Sequence, residues 1–431
     1  MNIRLYNARI LTMKDDRVFN GEVWVKDHLI YKVLSEDELK SEGLYQKERI
    51  VWDKEYDCKS NLLMPGFKNA HTHSAMTFLR SYADDVPLQQ WLYEKIFPME
   101  AKINADDIYA FTKLAILEYL TSGITSIFDM YIVPDATALA CRDMGMRCVL
   151  VSGLNNFTSS MEQMEEEFLK YKEYHPLISY QLGFHAEYTC EKELLRKVAD
   201  MSQQYGTPVY CHLNETLKEV KECKDKYGMT PAAFLDSLGM FEYGGGGYHC
   251  VHMSSEDIQV FKKKKLFAIT NPSSNLKLAS GIAPLDQYQK ENIDIAIGTD
   301  GAASNNCLDM FREMFLVSGL SKIAARDAAA MDAFLVLKMA TSQGARAMCL
   351  NNADVLEENK LADMILINLN SPNMQPIHNI PKNIVYSGSK QNVIMTMIHG
   401  KVLYDKGEFF VGEGVEDIYD RCNRILSRIM D

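Results

Sequence analysis

The chain has 431 residues, of which 47% are hydrophobic and 24% are charged, and its formal net charge is −12. This length is too great for one small domain and suits a barrel of about 250 to 350 residues with a smaller companion. The acidic balance excludes a general affinity for nucleic acid backbones, which requires a basic surface, so we expect no nucleic acid partner.

The N-terminus reads MNIRLYNARILTMKDD and lacks the basic start and continuous apolar run of a signal peptide. No stretch of about 20 apolar residues follows, so we expect no membrane span. The ten cysteines form no CxxC pair and lie mostly in apolar contexts such as RCVLV and VYCHL. Such a pattern is typical of buried thiols in a reducing compartment, and it predicts a cytoplasmic protein.

Both ends of the chain have the composition of short strands. Residues 1–61 are rich in β-branched and aromatic residues with partial alternation, as in IRLYNARILTM. The stretch 352–431 repeats this pattern in DMILINL and NVIMTMIHGKVLYDKGEFF, and it ends in a segment with helical spacing. We therefore predict that 1–61 and 352–431 pair into one small β-sandwich domain.

The middle of the chain, 62–351, alternates apolar runs with helical stretches, which indicates βα units and a parallel sheet. Eight units of this kind predict a (β/α)8 barrel. The runs are LLMPGFKNAHTH, TSIFDMY, RCVLVSGLNN, SYQLGFHAEY, TPVYCHLNE, GYHCVHM, LFAITNPSSN and IDIAIGTDGAA.

Several of these runs end in side chains that can bind metals or move protons. In such barrels the active site is built at the C-terminal ends of the strands. The residues placed there by the predicted strands are His71, His73, His185, His212, His252 and Asp300.

A metal site is the chemistry that this set suggests first. His71 and His73 lie two residues apart, and on a strand such residues point to the same side. His212 ends the fifth run and Asp300 ends the eighth. Taken singly, each has an ordinary structural interpretation: a polar loop for the first two, a hydrogen-bonded interior histidine for His212, and a turn or helix cap for Asp300.

Together these residues supply three nitrogens and one carboxylate oxygen, a set that suits Zn²⁺, with Fe²⁺ or Mn²⁺ as alternatives. Glu215 follows His212 by three residues. Alone it is a solvated helix start, but beside a metal it is the carboxylate that handles protons of the attacking water. The fourth run contains no lysine to bridge two ions, so we predict one divalent metal per subunit.

Five stretches resemble the methylthioadenosine/S-adenosylhomocysteine deaminase family of the amidohydrolase superfamily. They are MPGFKNAHTHSAMTFLRSYADDVPLQQWL, YCHLNET, HCVHM, NPSSNLKLASGIAP and GTDGAASNN, and the resemblance runs along most of the chain. It implies a homo-oligomeric hydrolase that removes the amino group from a 5′-modified adenosine. The substrates it implies are methylthioadenosine, S-adenosylhomocysteine, 5′-deoxyadenosine and adenosine, each converted to the inosine analogue and ammonia.

The resemblance also implies a role for each matching residue. The metal ligands it implies are His71, His73, His212 and Asp300, and Asp300 also accepts a proton. Glu215 matches the carboxylate that shuttles protons, and His252 matches the histidine that polarises the attacking water. Glu100 matches the glutamate that holds the ribose hydroxyls, and His185 matches a histidine lining the substrate pocket.

Two positions depart from the family pattern. The family motif continues Ala-Pro-Tyr after the pocket histidine, whereas here the sequence is Ala186-Glu187-Tyr188. Ser152 stands where relatives that bind the homocysteine carboxylate often carry arginine. Without that cation, a 5′-modified adenosine lacking a carboxylate is at least as well supported as S-adenosylhomocysteine, and Glu187 would change the charge of the pocket.

Two alternatives stay open at this point. The same site would serve a deaminase or chlorohydrolase of another aromatic heterocycle, such as guanine, a pterin or a triazine. A non-catalytic binding protein on the same scaffold is the other reading, and the intact set of four ligands plus Glu215 argues against it.

Overall fold

The computed structural model describes residues 1–42, 50–157 and 159–430. Within these ranges the strands form two sheets, and residues 43–49 of the predicted β-rich N-terminal stretch lie outside the described residues. The strands in chain order are β1 (Asn2–Leu11), β2 (Val18–Lys26), β3 (Leu29–Ser35), β4 (Lys54–Asp57), β5 (Leu62–Pro65), β6 (Phe67–Thr72), β7 (Ile124–Met130), β8 (Arg147–Val151), β9 (Ile178–Ala186), β10 (Val209–Leu213), β11 (Gly245–His249), β12 (Phe267–Thr270), β13 (Ile295–Ile297), β14 (Met364–Ile367), β15 (Val393–Ile398), β16 (Lys401–Asp405) and β17 (Glu408–Phe409).

Strands β6 to β13 pair in sequence order as eight parallel strands in the described part of the chain. The circle closes next to the site described below, because the Asp300 backbone N–H, just past β13, donates to the His71 carbonyl of β6 at 3.0 Å. Apolar side chains such as Phe128, Tyr210 and Tyr248 fill the interior. The predicted (β/α)8 barrel is thereby confirmed.

Helices follow most of the barrel strands and cover the outside of the sheet, as βα units require. The longer ones are Ala105–Thr121, Pro134–Met144, Met161–Tyr171, Lys192–Tyr205, Leu217–Tyr227, Ser255–Lys264, Met310–Ala325 and Ala333–Ala340. The shorter ones are Glu36–Glu42, Leu88–Gln90, Phe97–Glu100, Pro231–Ser237, Pro272–Lys277, Leu285–Lys290, Ala302–Asn305, Ser342–Ala347 and Ile380–Tyr386, with a π-helical turn at Trp91–Ile96. Helix Val415–Met430 ends the described chain.

Both chain ends build the second sheet, which has nine strands in the described residues and mixed directions. Its order is β17-β16-β15-β14-β5-β1-β2-β3, and β4 pairs with β1. Strand β5 therefore pairs with β1 and β14 in this sheet, although it lies in the stretch 62–351 that the sequence assigns to the barrel. The domain limits 1–61 with 352–431, and 62–351, stay a prediction.

The chain passes from the mixed sheet to the barrel at Gly66. Its N–H donates to the Asp363 carbonyl at 3.2 Å, and an added Cβ would lie 2.1 Å from the Thr125 side chain. A glycine is therefore required for this close crossing. Within the described residues, no helix combines the length and the apolar character needed to cross a membrane.

A buried ion pair joins the two sheets. Arg147 at the start of β8 donates from Nε and Nη2 to both carboxylate oxygens of Asp363, the second at 3.0 Å. Lys68 of β6 is fully buried beside this pair, donates to Thr125 Oγ1 at 2.8 Å, and has a pKa lowered to about 8 by burial. These buried charges therefore link the barrel to the mixed sheet.

Replacing Arg147 by methionine should destabilise the protein by about 3 to 5 kcal/mol, because Asp363 would be left buried without its bidentate partner. The free energy of unfolding in urea measures this loss. The matched control is Lys290→Met, since Lys290 forms an exposed pair with Asp286 and such pairs contribute about 0 to 1 kcal/mol. Equal stabilities for the two variants would refute a structural role for the buried pair.

Candidate metal centre and active site

The four predicted ligands converge at the C-terminal mouth of the barrel. His71 lies in β6, His73 follows that strand, His212 lies in β10 and Asp300 follows β13. One ring nitrogen from each of the three histidines lies within 4.8 Å of the others. Asp300 Oδ1 is 3.2 Å from His73 Nε2 and 3.5 Å from His71 Nε2. Side chains from three distant segments can therefore share one ion.

Backbone carbonyls fix the orientation of two of the rings. The Nδ1–H of His73 donates to the Met130 carbonyl, and that of His212 donates to the His185 carbonyl at 2.8 Å. A carbonyl only accepts, so Nδ1 of each ring carries a proton and Nε2 faces the cluster. This arrangement is the one that metal-binding histidines normally show. Burial alone would lower the pKa of His73, but the Asp300 carboxylate raises it to about 9, so a metal would bind this ring in place of the proton on Nε2.

His71 provides the test of whether the site fits a cation. It is fully buried, its ring stacks on Tyr248 at a centroid distance of 3.8 Å, and neither ring nitrogen has a hydrogen-bond partner among the described residues. Burial lowers its pKa to about 3, so the ring is neutral near pH 7. A neutral buried imidazole without a partner is unfavourable unless a ligand uses its lone pair, which a divalent metal would do.

Two serine hydroxyls hold the second carboxylate oxygen of Asp300, Oδ2, while Oδ1 lies near His71 and His73. Oδ2 accepts from Ser274 Oγ at 2.6 Å and from Ser304 Oγ at 2.9 Å. The residue has a φ of +60°, in the left-handed region that non-glycine residues rarely adopt. Such strain is typical of residues whose side chain must be aimed at a site.

Glu215 stands beside the cluster on the loop after β10. The Glu219 carboxylate accepts the N–H groups of Asn214 and Glu215 at 2.7 and 2.8 Å, which fixes the turn. Ser280 Oγ donates to Glu215 Oε1 at 2.9 Å. Only 8% of Glu215 is exposed, so its carboxylate is oriented and largely shielded from solvent.

The structure does not bring His252 into the cluster, and His249 lies there instead. His249 Nδ1 pairs with Asn275 Oδ1 at 2.7 Å, and its Nε2 is 4.0 Å from Asp300 Oδ2. His252 Nε2 donates to the Ser280 carbonyl at 2.7 Å, away from the cavity. The prediction for His252 is corrected because β11 ends at His249, and positive φ angles at His249 and Cys250 turn the chain away from the mouth.

A cavity of about 780 Å³ opens above the cluster. It is lined by His73, His185, His212, Glu215, Asp300 and Glu100, so every predicted site residue faces it except His71, which lies behind, and His252. Burial raises the pKa of Glu100 to about 7 against a smaller opposing effect of Tyr131. Burial lowers the pKa of His185 to about 4, so this ring is neutral near pH 7.

Ser152 and Glu187, the two departures from the family pattern, lie differently with respect to the cavity. Ser152 lines the cavity, whereas Glu187 is absent from its described lining and interacts with Cys223 of helix Leu217–Tyr227. Glu187 therefore contributes no carboxylate to the described cavity wall, and its effect on the charge of the pocket stays a prediction. Sequence reasoning also missed the apolar wall formed by Trp91, Leu92, Phe97 and neighbouring side chains, since a helical apolar stripe looks the same whether it covers a core or a cavity.

The sequence pattern of the amidohydrolase family matches residues 62–403, which is more than half of the chain. The chain belongs to the amidohydrolase family. That membership agrees with the barrel and with a cluster of histidines and aspartate at its mouth.

Curated relatives match this amidohydrolase over nearly its whole length. A 5-methylthioadenosine/S-adenosylhomocysteine deaminase of Caldanaerobacter subterraneus subsp. tengcongensis is 38% identical over 430 residues, covering 97% of this chain and 96% of that one. A deaminase of the same name from Desulfitobacterium hafniense is 40% identical over 431 residues, covering 98% and 97%.

Solved structures agree with the fold. An adenosine deaminase from Xanthomonas campestris with bound zinc is 30% identical and covers 100% of this chain and 98% of that one, with a TM-score of 0.92. An atrazine chlorohydrolase from Arthrobacter aurescens, complexed with zinc, is 20% identical with a TM-score of 0.87 and covers 98% and 100%. At that identity the chlorohydrolase supports the architecture alone.

Proposed function

We propose that this amidohydrolase is a metal-dependent deaminase that replaces the amino group at C6 of a 5′-modified adenosine by oxygen and releases ammonia. The observation that carries the proposal is the cluster of His71, His73, His212 and Asp300 with the oriented carboxylate of Glu215 beside it. The relatives named for this reaction support it, because they align with nearly the whole chain.

The proposed cofactor is one divalent metal per subunit, zinc above iron or manganese. Three imidazole nitrogens and one carboxylate oxygen suit zinc, and the related adenosine deaminase of Xanthomonas campestris holds zinc in its structure. A metal held there would lower the pKa of a water molecule from about 15.7 to about 7 and so supply a nucleophile at neutral pH. No lysine lies among the described residues that line the cavity, which favours one ion over two.

The chain's own residues would move the protons. The Glu215 carboxylate, held by Ser280, accepts a proton from the attacking water and delivers it to the ring nitrogen beside C6, which makes that carbon more electrophilic. Asp300 would accept the second proton, from the hydroxyl of the tetrahedral adduct, and pass it to the amino group, which leaves as ammonia. His249, whose Nε2 faces Asp300, stabilises the charge that develops on the attacking oxygen.

The rest of the nucleoside would lie along the cavity. Glu100 faces it from the end of helix Phe97–Glu100 and would accept hydrogen bonds from the two ribose hydroxyls. His185 is neutral and forms part of the wall next to His212, with ring centroids 4.9 Å apart. The apolar wall from Trp91 to Phe97 would cover the 5′ substituent and exclude water.

Ammonia release from metal-replete protein, with chloride release for the triazine, tests the proposal. The panel contains adenosine, methylthioadenosine, S-adenosylhomocysteine, guanine and a chlorinated triazine. We expect deamination of the adenosines and no reaction of guanine or the triazine. Turnover of free bases or triazines alone would replace the nucleoside assignment. A protein that binds no zinc, iron or manganese and releases no ammonia would be a binding protein on this scaffold.

Replacing Glu100 by glutamine should raise KM for adenosine and lower kcat/KM by about 10- to 100-fold, because a hydrogen bond to a charged group contributes about 1.5 to 3 kcal/mol. The matched control substrate is 2′,3′-dideoxyadenosine, which lacks both hydroxyls. Its kcat/KM should be the same for the wild-type protein and for Glu100→Gln. An equal loss on both substrates would show that Glu100 does not hold the ribose.

The replacements His249→Ala and His252→Ala separate the two neighbouring histidines. We expect kcat to fall by about 100-fold or more for His249→Ala, the range of a positioned proton-handling or electrostatic group. His252→Ala should cause a much smaller loss, since its ring donates to a backbone carbonyl outside the cavity. Steady-state ammonia release gives kcat for each of the two variants. The reverse order would restore the role that the sequence pattern assigned to His252.

A further inference from the structure

The cavity holds an acid that the proposed reaction does not use. Glu167, on helix Met161–Tyr171, lines the same cavity as Glu100 and Glu215. Its Oε2 accepts from the Tyr180 hydroxyl at 2.8 Å and its Oε1 accepts from Gln163 Nε2 at 2.9 Å. Each oxygen therefore keeps a free acceptor position, and the carboxylate is half-buried.

The groups that act on Glu167 differ from those of the metal cluster. The charged and polar groups that influence this carboxylate are Gln163, Tyr180, Asp135 and Lys170, none of which is a predicted ligand. Lys170 is paired with Asp135 at 2.7 Å and does not line the cavity. Glu167 thus faces the cavity while the neighbouring cation is engaged elsewhere.

Away from the metal cluster, the charged side chains that line the cavity among the described residues are all carboxylates. Four acids line it, namely Glu100, Glu167, Glu215 and Asp300, and no lysine or arginine lines it among the described residues. Most of the remaining wall is apolar, with Trp91, Leu92, Phe97, Ile132 and Val133 among its side chains. An anionic group in such a place would lose its hydration and find no cation, whereas an ammonium group could pair with Glu167.

We propose that this cavity selects 5′ substituents that are apolar or end in an amine and discriminates against those that end in a carboxylate, with Glu167 as the residue that sets this preference. The inference rests on the proposed function, because it assumes that the 5′ side of an adenosine occupies the cavity. S-adenosylhomocysteine carries both charges, so its ammonium would be paired and its carboxylate would not. It should therefore react less efficiently than methylthioadenosine.

Three adenosine thioethers of similar length test the preference. They carry a 3-aminopropyl, a butyl or a 2-carboxyethyl group on the 5′ sulfur, and ammonia release gives kcat/KM for each. We expect the carboxylate to be at least about 10-fold poorer than the butyl compound, and the amine to be at least as good. Equal values for the three would overturn the inference.

Substitutions at Glu167 assign the effect to that residue. In Glu167→Gln the advantage of the amine over the butyl compound should disappear, and in Glu167→Lys the carboxylate should become the better of the two charged substrates. Glu166→Gln is the matched control, because Glu166 is exposed on the same helix and does not line the cavity. Its substrate ratios should equal those of the wild-type protein. Unchanged ratios in both Glu167 variants would overturn the assignment.

Calorimetric binding of the same compounds separates this inference from the proposed reaction. Tighter binding of the amine than of the carboxylate, with no ammonia released from any adenosine, would keep the charge preference and refute the deaminase. Deamination of all three with no preference would keep the deaminase and refute the role of Glu167. Failure to bind any of the three would overturn both.

Discussion

Replacing Glu215 by glutamine should lower kcat by about 1000-fold or more while the metal content stays unchanged. Glutamine keeps the shape of the side chain and can still accept the hydrogen bond from Ser280 Oγ through its carbonyl oxygen. It cannot take a proton from water or give one to the substrate ring. A positioned general acid–base contributes about 100- to 10,000-fold, and one that serves two transfers should lie near the upper end.

Steady-state ammonia release and metal analysis of the same preparation measure the two parts of this expectation. The control is Glu222→Gln, because Glu222 is an exposed residue of the helix that follows Glu215 and its replacement changes the net charge equally. That control should retain wild-type kcat. Near-normal turnover by Glu215→Gln would remove Glu215 from the mechanism, and loss of its metal would make it a ligand.

Replacing Asp300 by asparagine should abolish tight metal binding and turnover together. The amide preserves the volume and can accept from Ser274 and Ser304, but it removes the negative charge that faces His71 and His73. Residues that merely orient a ligand contribute about 10- to 100-fold to metal affinity, so a ligand itself should contribute more than about 100-fold. Activity should fall in parallel with occupancy.

Thermal unfolding with and without added zinc gives a readout that needs no substrate. A metal that binds only the folded protein raises its stability by RT ln(1 + [L]/Kd), so chelation should lower the Tm of the wild-type protein. Zinc should barely move the Tm of Asp300→Asn. The control is Asp294→Asn. Asp294 lies just before β13, the strand that Asp300 follows, and its carboxylate pairs with Arg346. This variant should respond to zinc as the wild-type protein does. A full zinc response in Asp300→Asn would exclude it as a ligand.

The barrel and most of the metal cluster follow from the sequence because parallel strands all point their C-terminal ends to one mouth. His71 and His212 are strand residues, so their position along the chain determines where their rings lie. Whether His249 or His252 faces the metal cluster could not be decided from the sequence, because it depends on the path of the backbone. It depends on a left-handed turn at His249 and Cys250, and neither is a glycine that would have marked that turn.

Other features could not be read from local patterns. The run Leu62–Pro65 is fully buried, and a short apolar run looks the same in a barrel strand and in a strand of the mixed sheet. Glu167 faces a cavity because of how helix Met161–Tyr171 packs on β9, which spacing alone does not fix. The homo-oligomeric state and the cytoplasmic location stay predictions of the sequence.

The ion pair between Arg147 and Asp363 has a consequence for the order in which the newly made chain folds. Chains are synthesised from the N-terminus, and domains generally fold as they emerge. The last barrel strand ends at Ile297, while Asp363 emerges 66 residues later. Until then Arg147 lacks its buried counter-ion, so we expect the barrel to be less stable before the C-terminal strands arrive. A ribosome-bound chain halted before residue 363 should therefore be digested by protease far more readily than the finished protein.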